Sequence, residues 1–145
     1  MSKQRVSWGT YFMNIAQEVA TRSTCDRKHV GAVIVRDKTI LSTGYNGSIK
    51  GLPHCDEVGC EMVDGHCVRT THAEANAILK TASSTHNCNG ATLYLTLSPC
   101  KECSKLIHQA GISRVVYLTQ YSDNTGVNFL KEAGVEVVKF DEKNF

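Results

Sequence analysis

The chain has 145 residues, 41% of them apolar, with 16 Lys and Arg against 14 Asp and Glu. That length suits one domain with its own core, read here as spanning 1–145. A net charge of +2 without a basic run argues against a nucleic-acid partner and leaves room for a small anionic ligand. The N-terminus lacks the apolar stretch of a signal peptide, and no 18-residue apolar run exists to span a membrane, so the expected location is the cytoplasm.

Trp8, Phe12, Ile15 and Val19 recur at helical spacing and predict an amphipathic helix ending near Arg22. The β-branched run over 30–35, a turn at Asp37-Lys38 and a second run over 39–45 predict an antiparallel hairpin. Residues 47–71 show no period and are rich in Gly, Cys, His and acids. A loop of that length needs a function or a clamp, and metal is the obvious clamp. A helix is expected over 72–82 with Thr71 as its N-cap. Next come a strand over 92–97, a helix over 100–110 stopped by Gly111, a strand over 114–119, a helix over 126–133 and a strand over 135–140. Alternation of strand and helix after residue 92 implies right-handed crossovers and parallel pairing. The expected class is α/β, with a five-stranded mixed sheet covered by helices.

Seven cysteines are many for a reducing compartment, and an odd number cannot all pair, so metal ligation explains them better than disulfides. His72-Ala73-Glu74 and Pro99-Cys100-Lys101-Glu102-Cys103 are separated by 24 residues. His72, Cys100 and Cys103 fill three corners of a tetrahedral zinc site and leave the fourth for water, which marks a catalytic rather than a structural centre. Both groups fall at expected helix starts, where the partial positive charge favours thiolate. Glu74 is placed to take a proton from that water and to pass it on to a bound substrate. General acid–base help of this kind is worth roughly 10²–10⁴-fold. Cys25, Cys55, Cys60 and Cys67 make a second set of four ligands, a closed structural site, with His54 or His66 as a substitute for one of them. Cys88 stands alone and reads as a small hydrophobe or a surface thiol.

The H-x-E…P-C-x-x-C arrangement is a known signature of zinc deaminases that act on cytosine or adenine. Here it sits among further stretches: Cys25-x-Arg27, Val30-Gly31-Ala32-Val33, Ser42-Thr43-Gly44-Tyr45-Asn46-Gly47, His54-Cys55, Gly59-Cys60, Cys67-Val68-Arg69-Thr70, Ala75-Asn76-Ala77-Ile78 and Tyr94 to Cys100. On these residues the chain resembles the cytidine and deoxycytidylate deaminase superfamily, specifically its bacterial and phage deoxycytidylate (dCMP) deaminase branch. The resemblance runs from about Tyr11 to Phe140. It implies a three-layer α-β-α fold with helices on both faces of the sheet. It also implies hydrolysis of dCMP to dUMP and ammonia, which supplies thymidylate synthesis. Zn²⁺ at His72, Cys100 and Cys103, Glu74 as proton shuttle, and a second zinc near the insertion go with it. A homohexamer activated by dCTP with Mg²⁺ and inhibited by dTTP is also implied.

Substrate contacts have two readings each. Asn46 binds the sugar or is a turn residue, and the Gly-Tyr-Asn-Gly match favours the first. Tyr121, past the carboxyl end of a parallel strand, stacks on base or sugar, or sits at the rim. Ser98 meets the substrate phosphate or caps a helix. Arg27 and Lys28 hold the 5′-phosphate or are solvated charge. Arg69 braces its segment or meets a phosphate. The rivals are a tRNA adenosine deaminase, a riboflavin-pathway deaminase, a free-nucleoside cytidine deaminase and a non-catalytic zinc module. The first needs a basic face, the second a fused reductase domain, and the third has Cys where His72 stands. The last has no use for Glu74.

Overall fold

The structure, a computed structural model, describes residues 4–25 and 28–144; Arg27 lies outside the described residues. Helix α1 (Trp8–Ala20) starts at Ser7, whose Oγ accepts the Thr10 N–H at 3.1 Å. It ends before Arg22, because Thr21 and Arg22 donate to Glu18 and Val19 three residues back and the Thr21 hydroxyl takes the Glu18 carbonyl at 2.6 Å. Strands β1 (Gly31–Arg36) and β2 (Thr39–Tyr45) form the expected hairpin. Asp37 and Lys38 both have positive φ, 53° and 61°, as the tight turn between two right-twisted strands requires.

The segment expected to be structureless holds small elements: β3 (Gly47–Ser48), α2 (Cys55–Val58), β4 (Met62–Val63), β5 (His66–Cys67) and β6 (Thr70–Thr71). β3 pairs with β6, and β4 with β5. Ile49, Leu52, Val58, Met62, Val63 and Val68 are all exposed, so hydrophobic burial does not hold this segment in place. Thr71 belongs to β6 and is not a helix cap; His72 itself is the N-cap of α3 (Ala73–Ala82). The rest alternates as expected: β7 (Thr92–Leu97), α4 (Lys101–Gln109), β8 (Arg114–Thr119), α5 (Thr125–Glu132), β9 (Glu136–Lys139) and a short 3-10 turn at Glu142–Asn144.

The main sheet has the order β2-β1-β7-β8-β9. β1 runs antiparallel to both its neighbours, while β7, β8 and β9 are parallel. Side chains alternate across it. Val33, Val35, Tyr94 and Val116 meet Phe12, Met13 and Ala16 of α1 on one face. Ala32, Ile34, Leu93, Leu95 and Val115 meet Ala73, Ala77, Ile107 and Leu130 of α3, α4 and α5 on the other. This is the three-layer α-β-α arrangement, a mixed five-stranded sheet between helices. Cys88 is buried in the second core beside the Thr81 hydroxyl at 3.2 Å, and so is not a surface thiol. At Gly44 the α3 backbone crosses β2 so closely that a Cβ would collide with the Ala73 carbonyl and the Ala77 amide. That seating fixes where α3 begins, and with it His72. Among the described residues no helix is long and apolar enough to cross a membrane.

Candidate active site and metal centres

Two helix starts converge at the carboxyl end of the parallel strands. His72 caps α3 without a side-chain bond to the helix, which leaves its ring free to face α4. Cys100 caps α4, its sulfur 3.5 Å from the Cys103 amide. His72 Nδ1 lies 3.2 Å from Cys103 Sγ and 3.6 Å from Cys100 Sγ. All three ligand atoms fall within 4.8 Å of one another. A tetrahedral zinc with ordinary bond lengths sets N and S ligands about 3.6 Å apart, so this donor set fits the ion with a shift of only a few tenths of an ångström at Cys103. Gly126 lets α5 press on the same turn: a Cβ there would strike the Pro99 carbonyl and the Cys100 carbonyl group.

The electrostatics divide the two thiols. Hydrogen bonding from Cys103 holds the Cys100 pKa down at about 4 against the opposing effect of burial, with His72 adding to the fall. The bond to Cys100, burial and the Glu74 charge all push Cys103 up. His72 is raised above its ordinary value, first by its bond to Cys100. Glu74, in the first turn of α3, is 4% exposed. Burial pushes its pKa up to about 7, although its own unpaired helix amide, the His72 ring and the Cys103 thiol pull the other way.

His72, Glu74 and Cys100 line a cavity of about 530 Å³ together with Lys28, Asn46, Ser98 and Tyr121, within the usual range for a small-molecule site of roughly 300–1,000 Å³. Asn46 is buried and braced: Oδ1 accepts from the Val30 amide at 2.9 Å and the Ser23 hydroxyl at 2.5 Å, and Nδ2 donates to the Lys28 carbonyl at 2.6 Å. Ser98 does not cap a helix. Its buried Oγ accepts from the Tyr121 amide at 2.7 Å and Gln120 Nε2 at 3.2 Å, tying the strand end of β7 to the loop after β8. Lys28 Nζ sits 4.0 Å from the centre of the Tyr121 ring, a cation–π contact at the cavity wall. Glu102 and Asp123, which the sequence did not single out, also line the cavity. Each follows a motif residue at or just before a helix start, a weak signal that spacing alone does not separate from ordinary dipole-matching acids.

The sulfurs of Cys25, Cys55, Cys60 and Cys67 also lie within 4.8 Å of one another. Cys55 and Cys67 are 3.6 Å apart, and Cys25 and Cys60 are 3.9 Å apart. A tetrahedral tetrathiolate zinc spaces its sulfurs by about 3.8 Å, so this set fits too. No disulfide forms among them. Burial raises Cys55, with bonds to Cys67 and Cys60 adding to the rise. Burial resists ionisation of Cys67 as well, but the Arg69 and Glu61 backbone and the neighbouring thiols outweigh it and bring its pKa to about 7. His54 stands outside the set, its Nδ1 paired with the Thr24 hydroxyl at 3.0 Å. Arg69 takes the bracing role, donating from Nε to the Gly59 carbonyl at 3.1 Å. A smaller recess of about 210 Å³ joins Cys25 and Cys67 to Asn46, His72 and Tyr121, so the two clusters share a wall.

Comparison with known proteins agrees with this geometry. The family description "Cytidine and deoxycytidylate deaminase zinc-binding region" matches residues 6–119. ComE operon protein 2 of Bacillus subtilis (strain 168) is 48% identical over 142 residues, covering 96% of this chain and 75% of that protein. The deoxycytidylate deaminase of Saccharomyces cerevisiae is 42% identical over 143 residues, covering 94% of this chain but only 46% of that protein. The crystal structure of a dCMP deaminase from the cyanophage S-TIM5, in complex with dCMP and dUMP, superposes with a TM-score of 0.85 at 36% identity, covering 95% of this chain and 100% of that one. On sequence, fold and ligand geometry together, the chain belongs to the cytidine and deoxycytidylate deaminase family of zinc-dependent hydrolases.

Proposed function

We propose that this chain hydrolyses dCMP to dUMP and ammonia. The observation that carries the reading is one cavity wall bearing Glu74, His72 and Cys100, with the third ligand, the buried Cys103, directly behind it. The match to a phage enzyme whose structure holds dCMP and dUMP supports the choice of substrate. His72, Cys100 and Cys103 would hold a Zn²⁺ ion, which would supply an acidified water as the nucleophile. Glu74 takes the proton of that water as the oxygen bonds to C4 of the cytosine. It delivers that proton to N3, then takes the proton of the new C4 hydroxyl and passes it to the amine as the carbon–nitrogen bond breaks and the C4 carbonyl forms. The net change is addition of water and loss of ammonia.

Asn46 binds the sugar, and its three braces hold it in one orientation. Tyr121 stacks on base or sugar, with its loop anchored by Ser98. Lys28 supplies positive charge for the 5′-phosphate, and Arg27 is assigned the same role from the resemblance. Cys25, Cys55, Cys60 and Cys67 hold a second zinc, which orders a segment that buries little apolar surface. Supply of dUMP for thymidylate, activation by dCTP with Mg²⁺, inhibition by dTTP and a homohexamer rest on the family resemblance.

The test is ammonia release from dCMP, dCDP, dCTP, cytidine and deoxycytidine with zinc-loaded protein. Turnover of dCMP above the others is expected. Turnover of none of them would overturn the reading.

A further inference from the structure

Asn76 lies one turn into α3, outside both ligand sets, and its side-chain NH₂ uses both hydrogens. It donates to the Tyr45 carbonyl at 2.8 Å and to the Thr71 carbonyl at 3.1 Å. Two carbonyl partners fix which end of the amide is the nitrogen. Each carbonyl belongs to the peptide unit just before a site residue: Tyr45 precedes Asn46, and Thr71 precedes His72. A peptide unit is planar, so pinning its oxygen fixes the Cα that follows. The same residue's backbone N–H donates to the His72 carbonyl at 2.9 Å, so its placement relative to His72 is set by the helix itself.

Besides the seating of α3 on β2 at Gly44, a short ribbon joins these two strand ends. The local ladder is the β3–β6 ribbon of Gly47 with Thr71 and Ser48 with Thr70, and a ribbon that short is marginal in water. Ordinary helix capping does not explain the amide, because caps accept from helix N–H groups whereas Asn76 donates to carbonyls outside the helix. Nor does helix propensity, since Asn is poorer than Ala inside a helix.

We propose that Asn76 is a positioning residue that sets the catalytic ligand His72 and the cavity residue Asn46 in register with each other. The effect on turnover rests on the deaminase reading above; the effect on the ligand does not. Partners that orient a metal ligand typically cost about 10–100-fold in affinity or activity when removed.

The test compares Asn76→Ala with the unaltered chain. Ala removes both donors yet favours the helix, so the fold is expected to survive. Two readouts are taken. In cadmium-113 NMR of protein loaded with cadmium in place of zinc, the resonance of the His-Cys-Cys site is expected to move, while that of the tetrathiolate set stays. In the ammonia assay, kcat/KM for dCMP is expected to fall about 10–100-fold with both kcat and KM affected. Asn76→Ser, whose hydroxyl retains one hydrogen, serves as the second variant and should lie between the two. An unmoved His-Cys-Cys resonance together with kcat/KM within twofold of the unaltered chain would overturn the proposal. So would loss of the folded state in both variants, which would make Asn76 a scaffold residue only. If the unaltered chain leaves dCMP untouched, the substrate reading fails while the cadmium measurement still decides the role of Asn76.

Discussion

Replacing Gly126 by Ala tests how firmly the metal turn is held from behind. A Cβ at this position would lie 2.7 Å from the Cys100 carbonyl carbon and 2.8 Å from its oxygen, and closer still to the Pro99 oxygen. Relaxed contacts between carbon atoms begin near 3.5 Å, so α5 and the Pro99-Cys100 turn must part by roughly 1 Å. Every colliding atom is backbone, and none swings away as a side-chain tip would. Overpacking of this kind costs about 1–3 kcal/mol, which for a chain of this size lowers Tm by roughly 3–10 °C. Movement of Cys100 by much of an ångström should also cut kcat/KM on dCMP about 10²-fold. Thermal unfolding of the zinc-loaded variant and the ammonia assay measure both effects. An unchanged Tm refutes the clash. A lowered Tm with unchanged kcat/KM shows that α5 alone yields and that Gly126 does not set the turn.

Glu74→Gln keeps the shape of the buried side chain and removes its proton chemistry, so ammonia release from dCMP should fall by at least about 10²-fold with zinc content and Tm retained; activity within tenfold of the unaltered chain would defeat the assigned role. Ser98→Ala leaves the Tyr121 amide without its acceptor, at about 1–3 kcal/mol, and should raise KM for dCMP by roughly tenfold in steady-state assays. Metal analysis should find two zinc ions per chain, one for each ligand set. Cys60→Ser should bring that to about one and make the 47–71 segment more sensitive to limited proteolysis than in the unaltered chain; a value near one before mutation would exclude the second centre.

Much of this molecule can be read before any coordinates. Alternation of strand and helix after position 92 announces the parallel strands, because a crossover through a helix brings successive strands into parallel pairing. Asp37-Lys38 announces the hairpin. His72, Glu74, Cys100 and Cys103 are recognisable because zinc chemistry restricts residue types and spacing. The 47–71 segment is illegible for the opposite reason. Ribbons of two residues have no period, and sulfur contacts rather than an apolar face hold them. Thr71 looks like a cap only if the helix begins at His72; in the fold, the ligand itself occupies the cap position. Asn76 was visible only as part of the Ala75-Asn76-Ala77-Ile78 stretch, since its partners are backbone carbonyls that no sequence pattern records. The anchoring of Tyr121 by Ser98 escapes for the same reason.

Helices α3 and α4 both begin at a residue of the proposed zinc ligand set, one of them with no capping bond of its own. The same two helices carry Ala73, Ala77 and Ile107 into the core. A shift of either helix by one residue would therefore ruin packing and ligation together. One geometry thus couples the two levels: a variant of this chain that keeps the ligand cluster must also keep the register of both helices.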